Sequence, residues 1–327
     1  MYNRKNLASC WSENNNKKTA HFLLRSPVNH SNIKTTSVGC QDKMKKVISA
    51  SRRSDVVAFF PAWLSQSMQR EKAVVFGPSG HTYSVDLSPE NVHTLVLWSK
   101  DFSNLIKDKH SLLKNIKKYE QIYLHFTITG LGGTYIEKKS PSPGDAVRQL
   151  SELVNIVGSP SRISVRFDPV VYWKERESLR SNLQFFEKLA PAINSHGIKD
   201  VRFSFVQWYG KAKRRALKHN FQYRDPPEEE KLEAAQYLAD IALKWGLNLY
   251  SCSQNFLTVI KGIDPSSCID GALLQKLHPG REAVSLKKDK SQRKECRCTE
   301  SVDIGSYKQT CPHACLYCYA NPSLGDS

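Results

Sequence analysis

From residue 47 onward the chain alternates short β-type runs with longer helical patterns, and this alternation constrains the fold more than any other feature. Residues 47–51, 94–98, 122–127, 162–168, 200–206 and 247–251 read as strands. Residues 61–70, 101–118, 145–157, 175–195 and 228–245 read as helices, and 73–76 with 82–86 as a hairpin around Gly77-Pro78-Ser79-Gly80. Strands that take turns with helices imply a parallel sheet with right-handed crossovers.

The two faces of these strands differ. Ile163, Val165 and Phe167 share one face, opposite Arg162, Ser164, Arg166 and Asp168. Val201, Phe203 and Phe205 oppose Arg202 and Ser204, and Ile122, Leu124 and Phe126 oppose Tyr123, His125 and Thr127. A parallel sheet covered by helices on both faces would be apolar throughout. One polar face in three successive strands predicts a barrel with helices outside and a polar, ligand-holding lumen. An open sheet with wet edge strands is the alternative. A barrel puts its chemistry at the C-terminal ends of its strands. Those ends carry Arg52, Arg53 and Asp55, then Trp98 and Lys100, Thr127 and Thr129, Arg166 and Asp168, Gln207, and Cys252.

The nine cysteines are polarised, five of them falling in the last 32 of 327 residues. Such crowding reads as a metal site in a reducing compartment rather than a disulfide framework. Cys311-Pro312-His313-Ala314-Cys315-Leu316-Tyr317-Cys318 has the spacing Cys-x3-Cys-x2-Cys. Three thiolates on one tight loop can grip three irons of a [4Fe–4S] cubane and leave the fourth free of protein. Zinc is the competing occupant, with Cys296 or Cys298 as fourth ligand, because His313 lies between ligands. Cys252, Cys268, Cys296 and Cys298 are four more thiols, enough for a second, fully ligated cluster or a structural zinc; alternatively Cys296 or Cys298 completes the first site. Cys10 and Cys40 receive no role.

The formal net charge is +17, from 48 basic and 31 acidic residues. Residues 1–46 hold nine of the basic and two of the acidic residues, show no sustained period, and lack the apolar core of a secretory signal. Residues 1–43 read as a disordered leader or a misplaced start before Met44. Lys211, Lys213, Arg214, Arg215 and Lys218 follow Trp208-Tyr209, a pattern that suits a solvated helix face or a nucleic-acid contact. No apolar run is long enough to cross a membrane as a helix.

The loop from Cys311 to Ala320 resembles the cluster loop of radical S-adenosylmethionine enzymes, and is most similar to the spore photoproduct lyase type. Residues 47–322 also resemble a bacterial family of unknown function, DUF1848. The resemblance rests on Ile48-Ser49-Ala50-Ser51-Arg52-Arg53-Ser54-Asp55, on Gln292-Arg293-Lys294-Glu295-Cys296-Arg297-Cys298, on Asp303-Ile304-Gly305-Ser306-Tyr307 and on the triad. It implies a partial (β/α)6 barrel of TIM type over 44–280, followed by a cysteine-rich iron–sulfur segment over 281–327. It further implies a [4Fe–4S] cluster on Cys311, Cys315 and Cys318, S-adenosylmethionine with Tyr317 near its adenine, and an electron donor such as a flavodoxin or ferredoxin. Radical S-adenosylmethionine enzymes place the triad after their first strand and carry a Gly-Gly-Glu run; here the triad comes last and that run is absent. A circularly permuted barrel reconciles the order. The expected protein is a cytoplasmic enzyme with Arg52, Arg53, Asp55, Arg166 and Asp168 lining its substrate site. The competing classes are a metal-stabilised nucleic-acid-binding protein and an iron–sulfur electron carrier or sensor.

Overall fold

The structure is a computed structural model that describes residues 44–77, 80–320 and 322–323. The leader assigned to 1–43 lies outside the described residues, whereas Lys43–Ser327 forms one compact unit. Its centre is an eight-stranded sheet. The strands are β1 Lys46–Ala50, β2 Val92–Ser99, β3 Ile122–Thr127, β4 Ile163–Val170, β5 Asp200–Phe205, β6 Asn248–Ser251, β7 Ile263–Pro265 and β8 Val302–Asp303. They lie in the order β7-β6-β5-β4-β3-β2-β1-β8, every neighbouring pair parallel. The six strands read from sequence are all present; β7 and β8 are additional and form the two edges. They are too short for a period of two to reveal them.

Strands laid down one after another in a single direction, with right-handed crossovers, leave their connecting helices on the same face. The longer helices are α1 Pro61–Gln69, α2 Pro143–Val157, α3 Phe186–Ser195, α4 Gly210–Lys218, α5 Glu228–Lys244 and α6 Gly271–Leu277. Helix α2 shows how local sequence makes one. Ser142 accepts the Asp145 N–H as N-cap, Pro143 sits in the first turn where it costs no hydrogen bond, and Gly158 closes the end at φ 75°. Its buried stripe is Ala146, Leu150, Leu153 and Val157. That stripe joins Ile48, Leu97, Leu124, Phe126, Val165, Phe167, Val201 and Phe203 in the main core. Each large apolar side chain so buried contributes about 1.5–3 kcal/mol.

Two helical expectations need correction. The helix expected over 175–195 begins only at Phe186, because Tyr172–Glu175 and Ser178–Ser181 form an antiparallel hairpin that turns at Arg176, φ 55°. The helix expected over 101–118 is broken into Ser103–Ile106 and Leu112–Ile116, with left-handed backbone at Asp108, His110 and Ser111 between them. The hairpin Lys72–Phe76 with Thr82–Asp86 forms as expected.

The polar face is not an empty lumen. The chain beyond β6 folds across it, and Cys268, Ile269, Leu274, Val284 and Cys298 pack on Val47, Val96 and Tyr123. From His278 to Ser301 this covering segment has no helix or strand among the described residues. Its backbone needs partners, and the polar face supplies them. His125 Nε2 donates to the Cys268 carbonyl at 2.6 Å, Gln121 Nε2 to the Leu274 carbonyl at 2.9 Å and Arg202 to the Ser267 carbonyl at 3.3 Å. Among the described residues no helix is long and apolar enough to cross a membrane.

Candidate metal centre

A cavity of about 290 Å³ opens at the C-terminal ends of the strands. Of the expected rim, Arg52, Arg53, Asp55, Trp98, Lys100, Thr127, Arg166, Asp168, Gln207 and Cys252 line it. Thr129 stands apart and donates to Glu137 at 2.7 Å. Cys268, Cys296, Cys298, Cys311, Cys315 and Cys318 line the same cavity, so segments far apart in sequence bring seven thiols to one space. None of the seven is in a disulfide.

The loop carrying Cys311, Cys315 and Cys318 is held by hydrogen bonds on two sides. His313 Nε2 meets Asp55 Oδ2 at 2.7 Å, and its Nδ1 meets Ser140 Oγ at 3.1 Å. With both ring nitrogens engaged, His313 is a bracket rather than a metal ligand. Asp55 also accepts from Ala58 N at 2.9 Å, Ser99 Oγ at 2.8 Å and Lys100 N at 2.8 Å. Expected as a lumen-lining acid, it serves as the hub that ties the ends of β1 and β2 to the cysteine loop. The loop's other side rests on residues 130–140, where Leu316 N donates to the Ile136 carbonyl at 3.0 Å. Gly132 is required there, since a Cβ would lie 1.8 Å from the Pro141 carbonyl oxygen.

Glu137, in that loop, escaped the sequence reading; a lone acid in an aperiodic stretch carries no signal. It is buried and accepts from Tyr317 Oη, Thr129 Oγ1 and Lys100 Nζ, the last at 3.0 Å. Burial pushes its carboxyl up, but the Lys100 ammonium and the two hydroxyls outweigh this and hold it below its ordinary value. Tyr317 thus has its hydroxyl anchored while its ring lines the cavity. Burial pushes the Cys311 thiol up to about 12 and also raises Cys315 and Cys318. Without a cation these three are neutral thiols.

The other four thiols lie together. Cys252 and Cys268 have their sulfurs 3.7 Å apart. The Cys268 thiol is drawn well down by hydrogen bonds from Cys252 and Cys298 and by the charge of Arg166. A hydrogen bond from Cys298 draws Cys296 down to about 6. Arg166 Nη1 donates to Cys268 Sγ at 2.9 Å while Nη2 pairs with Asp168, and the guanidinium lies 5.2 Å over the Trp98 ring. Arg166 and Asp168 therefore reach the cavity as a coupled pair with thiol contact. Arg53 is a bracket: it donates to the Gly305 carbonyl at 2.9 Å and sits 4.9 Å over Tyr307.

Among the described residues no three thiol sulfurs lie within 4.8 Å of one another. Tetrahedral zinc, with Zn–S about 2.3 Å, needs every sulfur pair about 3.8 Å apart. Among the described residues one set of three potential ligand atoms does lie within 4.8 Å of one another, Glu120, His278 and Glu282, none of which lines the cavity. There His278 Nδ1 accepts from Gly280 N at 3.2 Å, which leaves the proton on Nε2 facing Glu120, and Lys45 already bridges to Glu282 at 2.9 Å. The Lys45 ammonium thus already occupies the Glu282 carboxylate.

A parallel α/β sheet bearing a thiol-lined cavity at its C-terminal edge defines the class of protein. A sequence profile described as a domain of unknown function, DUF1848, matches residues 47–320, and the chain belongs to that family. No curated protein shows a match to the chain. Two segments on which the resemblance was drawn meet in space. Asp303 accepts from Ser49 Oγ at 3.0 Å and from Arg52 N at 2.9 Å, and β8 pairs with β1.

Proposed function

We propose that the chain is an iron–sulfur enzyme of radical S-adenosylmethionine type, with a [4Fe–4S] cluster on Cys311, Cys315 and Cys318. The observation that carries this reading is the position of the triad. It faces the same cavity as the strand-end residues, in a set of thiols too widely spaced for one zinc ion. The chemistry of the donors agrees with it. Three neutral thiols, Cys315 buried and Cys311 and Cys318 half-buried, become thiolates when a bound metal displaces their protons, and the cavity brings Arg52, Arg166, Lys100 and Arg293 to offset that charge. When bound, such a cluster with one iron free of protein supplies an electron to S-adenosylmethionine and so starts radical chemistry.

The chain's own residues orient and enclose. Asp55 and His313 fix the loop, Glu137 and Lys100 fix Tyr317, and the Tyr317 ring offers a flat surface to the adenine. Trp98, Arg52 and the Arg166–Asp168 pair form the wall against which a substrate would lie. We read the sheet as a partial barrel, circularly permuted so that the cluster loop arrives last; its strand order and the packing of α1, α2, α3 and α5 into one core support this. Seven free thiols suit the reducing cytoplasm, where a flavodoxin or ferredoxin is the fitting electron donor. Nucleic acid is the second reading for the substrate. It is favoured because Lys211, Lys213, Arg214 and Lys218 stay exposed on α4, whose Arg215 grips the Cys318 carbonyl at 2.6 Å.

The test is anaerobic reconstitution with iron and sulfide. Replacing Cys311, Cys315 and Cys318 by Ala should remove about four irons per chain. In the wild type, S-adenosylmethionine should shift the spin resonance of the reduced cluster and be cleaved to 5′-deoxyadenosine and methionine. Stoichiometric zinc with no iron would sink the reading.

A further inference from the structure

Four thiols remain once the triad is assigned. Cys252 follows β6, Cys268 follows β7, and Cys296 and Cys298 precede β8. No local pattern requires these three segments to meet, yet all four side chains line one wall of the cavity. We propose that Cys252, Cys268, Cys296 and Cys298 ligate a second iron–sulfur cluster, one held entirely by protein and independent of the triad.

Several observations point to an anionic metal–thiolate group here rather than to inert thiols. Sulfurs of protein-bound clusters receive hydrogen bonds from the surrounding protein. Cys268 Sγ already accepts from the Arg166 guanidinium at 2.9 Å, and Cys298 Sγ from the Ile269 N–H at 3.3 Å. Arg52 is a half-buried cation whose single long ion pair leaves part of its guanidinium unsatisfied. Its nearest carboxylate, Asp289, is 3.7 Å away, and its Nη2 has no hydrogen-bond partner. A buried guanidinium nitrogen without a partner is costly unless an acceptor completes the site.

The covering segment argues the same way. Residues 278–301 form no helix or strand, yet place Val284 and Cys298 in the core. The backbone ties that hold it run beside the cysteines: Thr299 N to the Ile269 carbonyl at 2.9 Å, and Asp289 N to the Cys298 carbonyl at 2.9 Å. Metal binding supplies folding free energy to such irregular segments. The occupant is a cluster because no three of these thiols lie within 4.8 Å of one another, a wider set than a single tetrahedral zinc ion needs.

The experiment counts iron, acid-labile sulfide and zinc in the full chain reconstituted anaerobically. Three proteins are compared: the wild type, the Cys311→Ala/Cys315→Ala/Cys318→Ala variant, and the variant with Cys252, Cys268, Cys296 and Cys298 all changed to Ala. The expected counts are about eight, four and four irons. The cluster left in the triad variant should ignore S-adenosylmethionine. About four irons in the wild type, all lost with the triad from a folded protein, would overturn this proposal and leave the first reading standing. One zinc and no iron in the triad variant would also overturn it. Four irons in the wild type that survive loss of the triad would support it and overturn the first reading instead. If either variant fails to fold, the wild-type count decides alone, since one cubane cannot hold eight irons.

Discussion

At the scale of single residues, most candidate site residues turn out to hold other groups in place. Asp55 and Arg53, legible as polar residues at a strand end, are fully engaged with the cysteine loop and with the Asp303-Ile304-Gly305 turn. Arg166 is placed on a strand by its periodicity, but its contact with Cys268 has no trace in that periodicity. At the N-terminal end of β2, His93 gives a pH prediction. Burial lowers its pKa below the ordinary 6.5, with the neighbouring His278 adding to the shift; its ring stacks 4.4 Å from that of His278. A histidine kept neutral in the folded chain takes up fewer protons than it does unfolded. Its contribution is therefore complete above 6.5 and lost as pH falls through the lower folded value. Urea denaturation of the wild type should show stability declining below pH 6.5, and His93→Gln should flatten that decline. Parallel profiles for the two proteins would rule His93 out as a source.

At the scale of elements, β8 is the decisive addition. Two residues long, it docks the third family segment on the first through Ile48↔Val302 and Ser49↔Asp303. The approach is close: a Cβ on Gly305 would lie 1.9 Å from Ser51 Oγ. Gly305→Ala should cost about 1–3 kcal/mol, the usual range for overpacking. Adding Ser51→Gly should return part of that loss, a coupling that a double-mutant cycle in urea reads directly. Additive losses would mean that the two residues do not press on each other. A strand of this length lies below what alternation can reveal, and its partner lies about 250 residues away, so no sequence window contains both.

At the scale of the whole molecule, the sheet, the covering segment and the cavity all fall within Lys43–Ser327. A chain beginning at Met44 should therefore match the full chain in thermal midpoint, far-ultraviolet circular dichroism and metal content after reconstitution. Loss of either the fold or the metal on this truncation would show that residues before Met44 contribute to the unit.

The sequence by itself determined the six longer strands, their faces and the ring of residues at their C-terminal ends, because a period of two and a strand-helix alternation are local and repeat. It also showed the triad, whose three cysteines lie within eight residues. Only the tertiary structure decided what occupies the polar face, which acid anchors Tyr317, and which thiols stand beside Cys252. Those are meetings between segments without periodic pattern, and they are set by the need of buried carbonyls, cations and sulfurs to find partners once the chain beyond β6 folds back over the sheet.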